Sequence, residues 1–385
     1  MSSMIFALSQ WGIISTIGHL KGMTAVGIYA FSLSLVLPVN MFFNFGVRQL
    51  ISTEKKEVNI HNYIISVALA QILGLVLCVE FTRLFYHEYL GLVFLLYVLK
   101  IIDSLSETNY GYKQRMDDYI SISKSKIIRS ISLCISIYFS LLIGFELFEA
   151  VLVQVILAIL IFVIYDLDKY KRSRFKILKS DLYFLGFPLA LAATLLSIKT
   201  MIPRFLMEHY STQYELGLFA SLIYIVSAGG LVITSYSQVL VPMIAREKSK
   251  TRNKIIILGA IGSIVLAFVA SLLIIILKND LFKFIYGDDI LVTSDKLIYL
   301  AIILCTTFLS SYLGYVASAL RSLKQQPIIY ICIIFSMFIS YYISVYLTGD
   351  YVDSVYVTVI VGNILQMFLL TLLVRKSFYE SCSYN

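Results

Sequence analysis

Twelve separate runs of about twenty apolar residues constrain this chain more than any motif in it. They lie near residues 3–20, 24–47, 62–82, 89–111, 125–145, 147–166, 182–205, 214–241, 254–277, 297–320, 327–348 and 352–374. A helix rises 1.5 Å per residue, so a run of this length crosses the ~30 Å hydrocarbon core of a bilayer. Lipid offers no partner to a bare amide, and a helix satisfies its own backbone. The runs therefore predict an all-α polytopic membrane protein with about 12 transmembrane helices. Composition agrees: 59% of the residues are hydrophobic, against about 45–50% in a soluble domain.

Lys and Arg positions orient the spans. With the N-terminus inside, 23 of the 31 fall at the cytoplasmic side, counting Lys126, Arg129 and Lys254 in the first turns of their runs, five fall on the outer side, and Lys100, Lys199 and Arg204 lie deeper within spans. That asymmetry satisfies the positive-inside rule and places both termini in the cytoplasm. It also accounts for the net charge of +8 without a nucleic-acid partner. Five cysteines show no paired spacing, and His, Cys, Asp and Glu show no metal-ligand spacing. No nucleophile elbow or phosphate loop appears, so neither metal nor cofactor is expected. The first run lacks a basic leader and a small-residue cleavage site, so no cleaved signal is expected.

The most charged connection, DLDKYKRSRFKILKSD at 166–181, separates the sixth and seventh runs. It predicts two six-helix lobes, 1–172 and 173–385. The lobes resemble each other. At a shift of 190, VGIYAFSLSLV (26–36) overlays LGLFASLIYIV (216–226), and His19 overlays His209. At a shift of 203, YGY (110–112) overlays LGY (313–315). Two parallel repeats predict a pseudo-twofold axis along the membrane normal.

Polar residues within the runs are the candidates for function, because a charge near the bilayer centre costs roughly 2.5–3.5 kcal/mol on insertion scales. Run 2 places Asn40, Asn44 and Arg48 at i, i+4 and i+8, below Pro38, a predicted kink. The asparagines suit interhelical hydrogen bonds or a cavity wall equally. Run 4 carries Lys100, Asp103 and Glu107 on one face. These either pair structurally or line a hydrated cavity, where an unpaired carboxylate could carry a coupling proton. Run 7 holds Lys199 and Arg204 around Pro203. They either snorkel to the interface or face an anion. Run 8 offers Gly229 and Gly230 as a point of weakness, with Gln238 below them. Run 10 has a Thr307, Ser311, Gly314, Ser318 stripe, which suits helix packing, and ends at Arg321, an interfacial anchor or a functional cation.

Several of these stretches resemble bacterial polysaccharide flippases (Wzx-type, O-antigen and capsule transporters) of the multidrug/oligosaccharidyl-lipid/polysaccharide exporter superfamily. They are QWGI (10–13), VGIYA (26–30), the mid-helix Pro38 and terminal Arg48, the 99–129 region, and the Pro203-Arg204 pair followed by LGLFA (216–220). The chain departs from that family in having little sequence ahead of its first helix. The resemblance implies a V-shaped pair of six-helix bundles around a central cavity. It implies a non-enzymatic transporter that flips undecaprenyl-diphosphate-linked oligosaccharide units from the cytoplasmic to the outer leaflet of the bacterial inner membrane. It makes Arg48, Lys100, Lys199 and Arg204 candidate diphosphate or acidic-sugar contacts. The expected partners are lipid-linked oligosaccharide, membrane lipid, a glycan polymerase and chain-length proteins, with the flippase itself a monomer. The alternatives are an ion-coupled multidrug antiporter of the same superfamily and a membrane glycan polymerase or glycosyltransferase. The antiporter fits less well because cations match or outnumber acids within the runs. The enzyme fits less well because the longest outer connection, about 278–296, is short and Asp288-Asp289 is its only carboxylate pair.

Overall fold

A computed structural model describes residues 2–53, 59–166, 181–246, 249–287, 292–320 and 325–382. Among them there is no strand. Twelve α-helices follow in order: α1 (Ser2–Asn44), α2 (Val47–Thr53), α3 (Ile60–Phe85), α4 (Leu90–Arg115), α5 (Tyr119–Leu142), α6 (Leu147–Ile161), α7 (Asp181–Tyr210), α8 (Gln213–Arg246), α9 (Ser249–Tyr286), α10 (Ser294–Ala319), α11 (Gln326–Thr348) and α12 (Tyr351–Cys382). A five-residue π-helical stretch, Phe162–Asp166, extends α6. The protein is a multi-pass membrane protein. Most of the 166–181 connection, Asp288-Asp289 and Arg321 lie outside the described residues.

The helices and the expected spans differ at the N-terminus. Eleven helical stretches are long and apolar enough to cross a membrane, and the first, 4–52, is 49 residues long. It contains a break at Gly22, with φ 81° and ψ 175°, a conformation open essentially to glycine alone. The two expected spans 3–20 and 24–47 flank this break, so the first stretch is long enough for two crossings. A second break follows at Phe45-Gly46, both at positive φ. It ends α1 and starts α2. Arg48 is therefore not on the same helix as Asn40 and Asn44, as the i, i+4, i+8 spacing suggested. Pro38, by contrast, sits inside α1 without interrupting it. A single missing donor is tolerated in a membrane helix where neighbouring helices pack closely.

The packing is that of a membrane protein. On α3 the exposed face is Leu69, Ile72, Leu73, Val76 and Leu77, while the buried face is Ser66, Val67, Ala70, Gln71, Gly74 and Cys78. The outside is thus more apolar than the inside, as lipid requires. The small buried residues let helices approach. A Cβ on Gly74 would lie 2.1 Å from the Tyr97 hydroxyl of α4.

The chain divides into two compact units, Met1–Met201 and Ile202–Asn385. In the first, α1 packs on α3, α4 and α5, and α4 also packs on α2 and α6. This unit runs beyond residue 172 into α7. Ala190 is fully buried beside Phe45 and Ala70, and the Tyr183 hydroxyl donates to the Ser66 carbonyl at 3.2 Å. In the second unit α10 is central, packed on α8, α9 and α12.

Candidate functional site

The first unit holds a continuous polar network among apolar helices. Its outermost layer is neutral. The Asn40 amide, only 4% exposed, donates to Gln71 Oε1 at 3.0 Å and to Ser104 Oγ at 3.1 Å. Gln71 returns a bond to the Asn40 carbonyl at 3.2 Å, and Asn44 donates to Ser104 at 3.1 Å. These bonds tie α1, α3 and α4 together. They satisfy amides that would otherwise lie bare in hydrocarbon.

The next layer is charged. Asp103 on α4 receives Lys100 Nζ at 2.9 Å and a guanidinium nitrogen of Arg129 at 2.6 Å. One turn further, Glu107 receives Arg48 at 2.7 Å and Lys126 Nζ at 2.8 Å. Neither carboxylate is unpaired, so neither matches the bare proton carrier that the sequence allowed for. Among the described residues four cations surround these two carboxylates, and the Asp166 carboxylate, one serine hydroxyl from Arg129, offsets part of the excess. Arg129 is the buried end, with a side chain 4% exposed, whereas Arg48 and Glu107 are 33% exposed and reach solvent. Tyr110 lies beside the open end, with Lys126 Nζ 5.3 Å and Arg48 Cζ 6.0 Å from its ring centre. Both are within cation–π range. α2 brings Arg48 there because Gly111 permits it. A Cβ on Gly111 would stand 3.0 Å from the Arg48 backbone. Gln114 steadies the guanidinium by accepting from Arg48 Nε at 3.1 Å.

A third layer closes the network. The Asp166 carboxylate, at the end of the π-helical stretch, accepts from Ser125 at 2.5 Å and from Ser106 at 2.7 Å. Arg129 donates to Ser106 at 2.5 Å, joining this layer to the charged one. Asn109 donates to the Asp166 carbonyl, and Lys113 Nζ to the Tyr165 carbonyl at 3.4 Å.

Gln71, Lys126, Arg129 and Asp166 did not stand out in the sequence. Lys126 and Arg129 count with the cytoplasmic cations because they fall in the first turn of run 5, at its cytoplasmic end. α5 in fact starts at Tyr119, capped by Asp118, which accepts from the Ser121 amide at 3.1 Å. The hydrogen bonds from Ser121 hold the Asp118 carboxyl below the usual carboxylate range. The usable signal was Ser125, Lys126 and Arg129 within one turn of a helix, opposite the acids of run 4.

The remaining candidates sit elsewhere. Lys199, on the part of α7 in the first unit, is 9% exposed. Arg204 follows in the second unit, 5% exposed, with its Cζ 5.3 Å from the Tyr224 ring centre. Pro203 is inside α7. Gly229, Gly230 and Gln238 are inside α8, Gln238 exposed. Among the described residues no group of His, Cys, Asp and Glu could hold a metal ion.

The model of a family described as "Polysaccharide biosynthesis protein" matches residues 20–247, more than half of the chain. The chain belongs to that family. A Staphylococcus aureus protein, "Capsular polysaccharide biosynthesis protein CapF", is 25% identical over 309 residues, covering 75% of this chain and 76% of the relative. Among solved structures, the lipid II flippase MurJ in an inward closed conformation superposes with a TM-score of 0.75 at 15% identity, covering 98% of this chain and 88% of MurJ. An inward-facing multidrug resistance MATE family transporter of the MOP superfamily superposes with a TM-score of 0.71 at 12% identity, covering 99% of this chain and 95% of the transporter. The chain of this family member thus has the fold of these transporters.

Proposed function

We propose that the protein flips undecaprenyl-diphosphate-linked oligosaccharide from the cytoplasmic to the outer leaflet of a bacterial inner membrane by alternating access, for capsule, O-antigen or exopolysaccharide assembly. The observation that carries this reading is the charged layer of the first unit, where, among the described residues, four cations meet the two carboxylates of α4 and Asp166 adds one more acid through Ser106. Cations within a helix bundle pair with acids or face a water-filled cavity, which an anion can enter. A diphosphate suits such cations, and an arginine with a neighbouring lysine suits phosphate oxygens. Arg48 and Lys126, at the exposed end, make the first contact. Lys100 lies further in, and Lys199 and Arg204 supply cations on α7. Asn40 and Asn44 hold the helices that carry the site, while Gln238 offers a hydrogen bond from α8. The units Met1–Met201 and Ile202–Asn385, in place of the lobes 1–172 and 173–385, move as the two bodies, with Pro38, Pro203, Gly229 and Gly230 as flexing points. A coupling ion, where one is used, acts at Asp103 or Glu107 by competing with their cations. The protein is a non-enzymatic monomer, works beside a glycan polymerase and chain-length proteins, and keeps both termini in the cytoplasm.

Deletion of the gene tests the reading. The surface glycan disappears and its lipid-linked unit accumulates facing the cytoplasm, detected by mass spectrometry and by inaccessibility to an external glycosidase. Arg48→Ala on a plasmid fails to restore export at normal protein level. Unchanged surface glycan in the deletion strain, with no second flippase present, rejects the reading.

A further inference from the structure

At the end of the second unit where α7 meets α8 and α11 meets α12 lies an open groove of about 360 Å³, called the cavity below. Its lining is Tyr210, Ser211, Thr212, Glu215, Asp350 and Tyr351, with Thr348, Gly349 and Val352 completing the wall. The charge count puts both connections on the outer side. We propose that this cavity is a carbohydrate subsite, taking one hexose or N-acetylhexosamine of the glycan after it has crossed. The proposal rests on the flippase reading for its choice of ligand.

Three features of the cavity specify the ligand. The first is an aromatic platform. Tyr210 and Tyr351 stack with centroids 5.3 Å apart and planes 1° from parallel. Tyr341 lies 5.5 Å and His209 4.6 Å from Tyr210. This packing fixes the rings, yet Tyr351 remains 46% and Tyr210 37% exposed. A rigid ring edge and face offered to water suits the C–H face of a sugar, which buries apolar area against it at low entropic loss.

The second feature is the state of the two acids. Glu215 is paired with Lys296 at 2.7 Å. Asp350 accepts the Val352 and Asp353 amides at 2.8 and 3.1 Å through one oxygen, Oδ1, at the start of α12. A partner cation offsets the first charge, and the helix N-terminus offsets the second. Each carboxylate keeps unused acceptor sites. Asp295 and Asp353 stand near them with the same Lys296, so the wall is rich in acceptors for sugar hydroxyls, and a cation is the competing ligand. The third feature is size. The cavity lies within the usual range of small-ligand sites, roughly 300–1,000 Å³, at the end suited to a single ring. The hydroxyl oxygens of Ser211, Thr212 and Thr348 lie in the wall as further acceptors, Ser211 and Thr348 donating to the Met207 and Ser344 carbonyls.

Purified full-length protein in nanodiscs tests the subsite by saturation-transfer NMR with methyl glycosides of hexoses and N-acetylhexosamines. Wild type shows transfer to at least one of them with millimolar affinity. Tyr351→Ala weakens binding at least about tenfold, and Tyr351→Phe retains it because the ring remains. Ser211→Trp fills the cavity and abolishes binding, which guards against a Tyr351→Ala chain that fails to fold. Absence of transfer from every glycoside, or transfer unchanged in both Tyr351→Ala and Ser211→Trp, overturns the proposal. So does tetraphenylphosphonium bound at this cavity in place of sugar, which makes it a cation site. Arg48→Ala separates the two readings. Sugar binding that survives in Arg48→Ala supports the subsite whether or not export is lost. Loss of export in Arg48→Ala with no sugar binding in wild type overturns the subsite and leaves the flippase standing.

Discussion

Lys126 and Arg129 stand one helical turn apart on α5, and each reaches a carboxylate of α4, yet their surroundings set them different tasks. Arg129 is buried, bridges Asp103 to Ser106, and so holds two layers of the network together. Removing it leaves Asp103 to Lys100 alone and takes a donor from Ser106 and the Ile102 carbonyl, buried acceptors whose lost partner costs about 1–3 kcal/mol. Arg129→Leu therefore lowers the melting temperature in detergent and the amount of protein in the membrane. Lys126 shares Glu107 with Arg48 at the more open end, where losing one of two cations leaves the acid still paired. Lys126→Ala changes stability by no more than about 1 kcal/mol and lowers glycan export several-fold at normal protein level. Thermal melting and surface-glycan staining of the two variants separate the roles. Equal melting of both with wild type removes the structural role of Arg129, and undiminished export in Lys126→Ala removes the substrate role of Lys126.

Elements decide which of these residues can meet. The apolar runs announced nearly every helix, because a span of lipid-facing side chains is a local property of sequence. Partners are not local. Glu107 takes its cations from α2 and α5, and no spacing within run 4 reveals that. The break at Phe45-Gly46 was hidden for another reason. The apolar pattern continues through it, so Arg48 seemed to extend the face of Asn40 and Asn44. Glycine alone carried the signal at both breaks, and glycine also occurs where the helix is unbroken. Gly22 and Gly230 make this contrast measurable, since neither has an atom within 4 Å of the position a Cβ would take. At Gly22 the backbone is in a region open essentially to glycine, so Gly22→Ala costs about 1–3 kcal/mol and is read as a lowered melting temperature. Gly230 is inside α8, where Ala is favoured over Gly by about 0.5–1 kcal/mol. Gly230→Ala then raises the melting temperature, and slower export in that more stable variant supports flexing at this point. A Gly22→Ala protein as stable as wild type refutes the strain at the break.

At the scale of the molecule, the ion pairs supply a check on topology independent of the charge count. The count treats each connection by itself, whereas an ion pair between distant connections requires both ends on one side. Lys21, at the break in α1, pairs with Glu146, in the turn between α5 and α6, at 2.9 Å. Lys296 at the start of α10 pairs with Glu215 at the start of α8. All four residues fall at outer ends under the count. Arg48 and Gln114 meet at the opposite ends of their helices, which the count assigns to the cytoplasm. One crossing misplaced in the first unit would separate Lys21 from Glu146, and one misplaced between α8 and α10 would separate Glu215 from Lys296. Cysteine labelling in spheroplasts tests the result. On a background with the natural cysteines replaced, Cys at Glu146 and at Asp350 reacts with an impermeant maleimide from outside. Cys at Asp118, in the connection between α4 and α5, reacts only after the membrane is permeabilised. The reverse pattern inverts the protein and places Arg48 and Lys126 on the outer face, where they would receive an anion on leaving instead of on entry. Labelling of Glu146 and Asp118 from the same side is incompatible with α5 crossing the membrane and would break the count at the helix that carries Lys126 and Arg129.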